Sequence, residues 1–472
     1  KWAFGFVNVA SVRSQPAVAG GRLFVASENG LVHALDPRTG CTYWSFKAQA
    51  GVATALSVGS YRSAASPDDT GGAAGRTGSH GYAVYFGDRR ANVYAVDAQS
   101  GRPIWVRKVD SHPAASITGS PTIYRGRVFV PVQGIGEESR ATSGDYACCT
   151  FRGNVSALDA NTGAVIWKTY TVAPSQPRAK NKDGVTMYGP AGGGIWSAPT
   201  VDPKRGLIYV ATGNGYAGPP QPTTDAVMAL DIRSGAVRWV RQVLAGDIWV
   251  MGCNAHNPPD TPACPPTLGA DFDFSASPAL AHLGARELLV LPQKSGLAFA
   301  LDPDQQGRIV WRYRIGRGSG LGGQWGAAIE GAAAYFGVAD LLTQTPGGMR
   351  AVRLADGSPL WRKPPPKALC GTRLGCSVGQ GAALTAIPGA VLSGALDGGL
   401  RAYSTRDGKI LWTYDCDRAF KTVNGVQAHG GAMDGPGPIV AGGMLYVNSG
   451  NSGLMGSAGN VLLAFGLPPP GP

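Results

Sequence analysis

One pattern recurs along the whole chain: a small residue, alternating apolar residues, Ala-Leu-Asp or a variant of it, two free positions, Thr-Gly or Ser-Gly, and a Trp shortly after. It reads LVHALDPRTGCTYW ending at Trp44, NVYAVDAQSGRPIW at Trp105, NVSALDANTGAVIW at Trp167 and AVMALDIRSGAVRW at Trp239. It continues as LAFALDPDQQGRIVW at Trp311, MRAVRLADGSPLW at Trp361 and LRAYSTRDGKILW at Trp412. Alternation such as Val155, Ala157, Leu158 fits a strand. The Asp accepts turn N–H groups, and the Gly supplies a positive φ. The Trp then opens an outer strand and packs between neighbouring units. Segments between copies, such as ITGSPTIYRGRVFVPV and SAPTVDPKRGLIYVAT, read as two further strands around an Arg-Gly turn. Four strands in roughly 60 residues make a β-propeller blade. Seven copies are complete and an eighth is split, with NVLLAF (460–465) at one end and KWAF, carrying Trp2, at the other. The expectation is all-β: an eight-bladed β-propeller with Trp-docking repeats, spanning 1–472 as a single domain. Its N- and C-terminal strands close the ring and remove an open edge.

Composition agrees. Gly (70) and Pro (35) are too abundant among 472 residues for a helical bundle. With 44% hydrophobic and 15% charged residues the chain is not intrinsically disordered. The balance 42 − 30 = +12 is basic, but Lys and Arg are scattered without a basic run, so nucleic acid is not expected as a partner. No apolar stretch reaches the roughly 18 residues of a membrane span. The eight cysteines include two pairs that close short loops, Cys253 with Cys264 and Cys370 with Cys376, and the adjacent Cys148 and Cys149. None has zinc-site spacing, and there is no CxxCH haem attachment. Paired cysteines in such a chain point to an oxidising compartment. The chain begins at Lys1 rather than Met, as expected of a processed or trimmed chain.

Eight such repeats resemble the pyrroloquinoline quinone (PQQ) dehydrogenases, the methanol and alcohol dehydrogenase superfamily. GGGIWSAPTVDPKRGLIYVATGN (192–214) is similar to that family's Gly-rich segment, Trp and closing GxGN. The resemblance implies that Trp196 stacks on PQQ, as a planar quinone requires, and that Asn214 offers an oxygen to Ca²⁺. ITGSPTI (117–123) implies that Thr118 hydrogen-bonds the cofactor. GADFDFSASPAL (269–280) implies a catalytic base at Asp273, with Asp271 two residues earlier on the same strand face and both near the metal. Desolvation among aromatics is expected to raise the pKa of Asp273. LPQKSGLAFALD (291–302) implies that Lys294 polarises the quinone carbonyl.

YACCTFRGNVSALD (146–159) carries the adjacent cysteines, and the resemblance implies that Cys148 and Cys149 form a disulfide facing PQQ opposite the Trp. The pair stands where the family's alcohol dehydrogenases place a Ca²⁺-binding Glu, which leaves Asn214, Asp273 and Asp271 as metal ligands. CCTFRG is instead similar to the polyvinyl alcohol dehydrogenase branch. So are KWAFGF, FDFSASP, GGQWG (322–326) and TVNGVQAHGGAMDGPGPIVAGGMLYVNSG (422–450). PQQ has three carboxylates, so Arg152 and Arg13 are candidate partners, with Trp325 and Asn424 as further cofactor contacts. His256 and His429 sit in loops that favour surface positions. The inserts at 60–80, 171–190 and 245–268 are expected to build the pocket rim.

The resemblance thus implies a periplasmic, monomeric quinoprotein that uses PQQ and Ca²⁺. It would oxidise a secondary alcohol, such as polyvinyl alcohol or another bulky one, to a ketone and pass electrons to cytochrome c. The alternative is a non-catalytic propeller scaffold for protein–protein interaction. It accounts for the repeats but not for Trp196, Asn214, Asp273, Lys294 and the vicinal cysteines together.

Overall fold

The computed structural model describes residues 1–62, 80–251, 253, 264–265, 267–319, 325–371, 373, 375–451 and 456–466. Each repeat forms the outer half of a four-stranded antiparallel sheet, and eight such sheets follow one another around the ring. In the third blade the strands are Thr122–Tyr124, Arg127–Val132, Asn154–Asp159 and Val165–Tyr170, from the axis outward. The turn between the last two is built as its residues suggest. Asp159 Oδ1 accepts the N–H groups of Asn161 and Thr162, both at 2.9 Å, and the Thr162 hydroxyl at 3.0 Å. Gly163 then takes φ +68°.

That glycine has a second duty. The indole of Trp105, from the preceding blade, lies against it so closely that a Cβ would stand 2.6 Å from Cε3. Trp105 Nε1 also donates to the carbonyl of Ala160 at 3.0 Å. The same seat joins Trp2 to Gly40, Trp44 to Gly101, Trp167 to Gly235, Trp239 to Gly307, Trp311 to Gly357 and Trp361 to Gly408. In most of these the indole also donates to a turn carbonyl, as Trp44 does to Ala98 and Trp311 to Leu354. Trp239 is the exception: its Nε1 is buried without a partner among the described residues. The turn it meets is one residue longer and coils into a short 3₁₀ segment, Pro303–Gln305, which moves the expected acceptor away. Among the described residues Trp412 has no such turn to dock on. It meets Phe465 edge-on, with centroids 5.5 Å apart, and stays 37% exposed.

The split blade closes as expected. Trp2–Gly5 pairs antiparallel with the strand Val461–Gly466, with Trp2 opposite Ala464 and Gly5 opposite Val461. The free edge of Trp2–Gly5 is not left bare. Asn424 accepts from Gly5 N–H at 3.0 Å and donates to Gly5 C=O at 2.8 Å, as a neighbouring strand would. Asn424 is therefore a clasp on the ring closure and does not reach the axis, contrary to its expected cofactor contact.

Strand direction assigns the loops to two faces. The entry to each first strand and the exit from each second strand share one face, here the upper. The Asp-x-x-Thr-Gly turns and the first-to-second-strand turns share the lower. The insert at 60–80 connects a first strand (Ser57–Arg62) to a second (His80–Gly87), whose joined ends lie on the lower face. Most of it lies outside the described residues. The insert at 171–190 forms an upper-face hairpin, Gln176–Lys180 with Thr186–Gly189. Much of 245–268, including His256, lies outside the described residues. Disulfides join Cys148 to Cys149, Cys253 to Cys264 and Cys370 to Cys376, while Cys41 and Cys416 are free. No helix among the described residues is long and apolar enough to cross a membrane.

Two substitutions separate turn geometry from blade docking. Gly163→Ala and Gly126→Ala both place a Cβ on a left-handed residue, at φ +68° and +74°, costing roughly 1–2 kcal/mol. Nothing lies within 4 Å of the new Cβ at Gly126, whereas at Gly163 it strikes the Trp105 indole. We expect Gly163→Ala to lose a further ~1–3 kcal/mol through overpacking. Denaturant unfolding of both variants checks this, and equal losses would show that the indole seat is not tight.

Candidate active site

All eight blades contribute upper-face residues to one axial cavity of about 730 Å³. First-strand entries supply Thr118, Gly119, Ser120, Trp196, Ser197, Ser275 and Trp325. Second-strand exits supply Arg89, Ile135, Glu138, Lys294, Leu341 and Leu396.

Its charged floor is built on a kinked segment, not on the strand expected for Asp271 and Asp273. Residues 269–278 precede the strand Ala279–Leu283 and have no regular structure. Asp271 has φ +57°. The kink is held by the buried Asp247, whose carboxylate accepts from Asp271 N–H at 3.1 Å and Phe272 N–H at 2.8 Å. This fold-back, in place of strand alternation, brings the two carboxylates together. Lys294, in the turn after Arg286–Pro292, bridges them: Nζ lies 3.0 Å from Asp271 Oδ1 and 2.5 Å from Asp273 Oδ2. Asp273 Oδ1 also accepts from Asn214 N–H at 2.8 Å. Gly213 permits the next convergence. A Cβ there would collide with Asp273 Oδ1 and come within 2.9 Å of Trp196 Nε1, so the carboxylate and the indole edge meet over bare backbone.

Burial and charge divide the carboxylates. Burial alone would raise Asp273, but the Lys294 ammonium, together with hydrogen bonds from Lys294, Asp271 and Asn214 N–H, holds it below the usual carboxylate range. The expected rise is thus reversed, because the aromatic surroundings matter less than the lysine. Asp271 is pushed well above that range, by burial first and then by the charges of Asp273 and Glu138 against the pull of Lys294. Burial also lowers the tendency of Lys294 to hold its proton, yet the two aspartates outweigh it and its pKa rises.

Glu138 was not anticipated. Its helix α1 (Ile135–Arg140) follows the second strand of the third blade and turns Glu138 into the cavity wall. Burial, helped by Asp273, pushes its carboxyl up to about 8. The neighbouring Glu137 turns the other way and accepts from Thr150 and Phe151 N–H and from the Tyr146 hydroxyl. A carboxyl group thus enters the cavity wall earlier in the blade that carries CCTFRG. The signal was the pair of glutamates in GIGEE, directly after a buried strand.

The other expected residues divide. Thr118, Trp196, Arg13 and Trp325 line the cavity. Asn214 stands behind Asp273, its Nδ2 donating to the carbonyls of Gly215 and Trp249. Cys148 and Cys149 are joined but buried away from the cavity lining. Cys148 C=O and Cys149 N–H pair with Tyr188 of the hairpin, and the side chains pack with Phe151, Tyr216 and Val250. At the second-strand exit of that blade Ile135 and Glu138 form the wall instead. Arg152 also turns outward, donating to Val172 C=O at 2.9 and 2.8 Å and stacking on Tyr170. Arg89 takes its place at the axis, paired with Glu28 at 2.7 Å. His429 is half-exposed and lies outside the lining.

The cavity suits a flat polar quinone. It offers an indole face, and the buried hydroxyls of Thr118 and Ser197 have no hydrogen-bond partner among the described residues. No group of three His, Cys, Asp or Glu side chains among the described residues forms a ready-made metal cage. The carboxyl groups of Glu138, Asp271 and Asp273 beside Lys294 nevertheless offer buried oxygen donors that would suit a hard cation able to displace the protons of Glu138 and Asp271.

Comparison with known proteins agrees with this geometry. Residues 6–314 match the family described as glucose/ethanol/alcohol dehydrogenase, β-propeller domain. Residues 345–464 match a propeller family described as outer membrane protein assembly factor BamB. A polyvinylalcohol dehydrogenase of Pseudomonas sp. is 42% identical over 99% of this chain and 72% of its own length. Another, from Sphingopyxis sp. (strain 113P3), is 38% identical over the same shares. A solved quinohemoprotein alcohol dehydrogenase from Pseudomonas putida HK5 shares the fold, with TM-score 0.63 and 17% identity over 100% of this chain and 77% of that one. Such extended similarity to polyvinylalcohol dehydrogenases, together with a propeller whose axial cavity gathers Trp196, Asp273 and Lys294, means that the chain belongs to the PQQ-dependent alcohol dehydrogenase family, in its polyvinyl alcohol dehydrogenase branch.

Proposed function

We propose that the enzyme oxidises secondary alcohols to ketones, with polyvinyl alcohol or another bulky secondary alcohol as substrate. In this reading 1–472 acts as one catalytic propeller, a monomer in the periplasm, with Ca²⁺ beside PQQ. Three disulfides support an oxidising compartment. The 472 residues contain no CxxCH motif, so electrons leave for a haem outside them, with a cytochrome c as the acceptor.

The observation that carries the chemistry is Lys294 Nζ held between Asp271 and Asp273 beside Trp196. PQQ, when bound, supplies a two-electron acceptor for the carbon-bound hydrogen and its electron pair. Trp196 provides its floor, while Thr118 and Ser197 offer hydroxyls to its polar edge. Asp273 is ionised at neutral pH because Lys294 stabilises it, so it is in the form that can accept the alcohol's hydroxyl proton. Lys294 is positively charged and can stabilise negative charge developing on a quinone oxygen. Glu138, Asp271 and Asp273 would hold the cation, with Asn214 behind them.

The direct test adds PQQ and Ca²⁺ to the protein and follows reduction of an artificial dye with a panel of primary and secondary alcohols. Secondary alcohols are expected to support turnover. A propeller that only binds other proteins would neither take up PQQ nor reduce dye.

Asp273→Asn should keep PQQ bound and cut turnover by roughly 10²–10⁴-fold, the usual share of a general base. Asp271→Asn should retain most activity at saturating Ca²⁺. The reverse pattern in steady-state kinetics would move the base to Asp271.

Cation binding should depend on pH with a definite sign. Glu138 holds its proton up to about pH 8 in the metal-free site, and binding must displace that proton. Ca²⁺ affinity measured by calorimetry should rise from pH 6 toward 8 by at least about tenfold per pH unit, about one factor of ten for each proton that Glu138 and Asp271 release. Glu138→Gln should weaken binding and lower this slope by about one factor of ten per pH unit, leaving the share of Asp271. An unchanged slope would remove Glu138 from the ligand set.

A further inference from the structure

A second cavity, of about 510 Å³, lies on the lower face at the seam between the second and third blades. Its wall holds Arg62, at the end of the strand Ser57–Arg62, and Arg125 and Arg127, on either side of the Gly126 turn. Asp159, Asn161 and Ser60 add polar groups. Three guanidinium groups and one carboxylate leave this lining with a charge of +2. The carboxylate is already engaged, since Asp159 Oδ1 accepts three bonds within its own turn. Among the described residues the side chains of Arg62 and Arg125 make neither a hydrogen bond nor an ion pair. Arg125 only overlies the Tyr124 ring, at 5.2 Å. Arg127 is anchored through Nη1, which donates to the carbonyls of Ile232 and Arg233 at 2.7 and 2.9 Å and leaves the rest of its fork to donate. Asn161 Oδ1 accepts from Arg62 N–H at 2.8 Å, so its amide N–H groups are also left to donate.

The corresponding turn of the next blade shows what is different here. In the fourth blade Arg205 precedes the turn glycine Gly206, as Arg125 precedes Gly126, and it is paired with Asp202, Glu287 and Asp304. Among the described residues no carboxylate does this for Arg125. Backbone strain points the same way. Arg125 and Gly126 take φ +45° and +74°, in a two-residue hairpin turn that suits Gly or Asn at its first place. The equivalent turns of the first and eighth blades are Gly20–Gly21, at φ +55° and +72°, and Gly442–Gly443, at φ +57° and +74°. An arginine in the left-handed region is strained, and strain of this kind is a pointer to a task for the side chain.

We infer that this cavity binds a phosphate-class dianion, held by Arg62, Arg125 and Arg127 with donation from Asn161 and Ser60. Guanidinium groups present paired N–H donors that match two oxygens of a phosphate. A lining of charge +2 suits a group that carries close to two negative charges at neutral pH. Three like charges around one cavity repel one another, and a dianion between them turns that repulsion into attraction. The ligand contacts strands and turns of both the second and the third blade, so it ties their seam. It does so on the face opposite the axial cavity and takes no part in alcohol oxidation. The phosphate can be inorganic phosphate or the headgroup of a lipid, and the chemistry of the site is the same for both.

The experiment titrates the full chain with inorganic phosphate in a calorimeter, without Ca²⁺ and with chloride holding the ionic strength constant. One phosphate should bind per chain and raise the midpoint of thermal unfolding, because it binds the folded state. Arg62→Gln and Arg125→Gly should each weaken binding by roughly ten- to a hundredfold, the range for a hydrogen bond to a charged group. Arg125→Gly also relieves the strained turn, so without phosphate it should unfold at no lower temperature than the wild type. That separates loss of the ligand from loss of the fold. Flotation with phosphatidylcholine vesicles, with and without phosphatidic acid, identifies the source. Co-flotation that needs phosphatidic acid and is lost in both variants assigns a lipid headgroup, and phosphate binding without co-flotation assigns the free anion. No binding heat and no stabilisation by phosphate in the wild type, or an unchanged phosphate affinity in both folded variants, overturns the site.

Discussion

The molecule depends on a flat indole resting on a glycine of the next blade. Each blade alone is a small sheet with two apolar faces, too little to persist in water. The Trp supplies a large apolar surface at the seam, and the glycine lets it approach the backbone. In Trp44, Trp105, Trp167, Trp311 and Trp361 the Nε1–H donor is satisfied by a turn carbonyl of the same neighbour. One residue type thereby sets blade spacing and rotation, and repetition of it brings the ring round to where Trp2–Gly5 can pair with Val461–Gly466.

All of that machinery lies on the lower and outer parts of the blades, away from the chemistry. The cavity is assembled from loops on the other face, which carry no repeat. This is why the two parts of the molecule were not equally legible. The Asp, Gly and Trp of each copy have fixed local partners, so their spacing reads directly as strand, turn and strand. Trp196, Thr118, Asp273 and Lys294 could be placed through motif resemblance, because each sits at a fixed offset from a strand end. Asp271 could not be placed correctly. Its position depends on a left-handed kink clamped by Asp247, more than twenty residues earlier in the chain, and alternation within a segment cannot show that. Cys148 and Cys149 were drawn inward by analogy, yet their backbone pairs with Tyr188 in an insert. Arg152 looked like a cofactor arginine from its spacing alone, but a nearby carbonyl and Tyr170 offered it closer partners. Glu138 went unseen because α1 interrupts the blade after its second strand, so the carboxylate arrives from an element the repeat does not contain.

The charge arrangement at the axis follows from scarcity. Lys294 is the cation directly paired with both aspartates of the floor, while Glu138 adds a third carboxylate near them. Burial makes every uncompensated charge expensive. The protein settles this by keeping Asp273 ionised against Lys294 and leaving Asp271 and Glu138 with raised pKa values. In the neighbouring fourth blade, Asp225 is buried with neither oxygen hydrogen-bonded among the described residues, and its carboxyl is pushed well above the usual range, first by burial and then by Asp247 and Asp273. A site with several reluctant acids around one committed base is poised to exchange protons for a cation.

The clasp at Asn424 and the strand Trp2–Gly5 also bear on how the molecule forms. Trp2–Gly5 is made before the other strands of the propeller yet is the last of them to find its sheet, because its partner Val461–Gly466 follows all the other blades. Seven blades can stack in order as they emerge, each on the one before, but the ring stays an open arc until Val461–Gly466 has been made. Closing so long a loop costs only a little more entropy than closing a short one, since the cost grows with the logarithm of length. The larger consequence is temporal. During that interval the nascent arc exposes unpaired backbone at both ends, and a second nascent chain could add to either. Secretion as an unfolded thread, or a helper that shields those edges, would keep copies of this propeller from joining one another before each has joined itself.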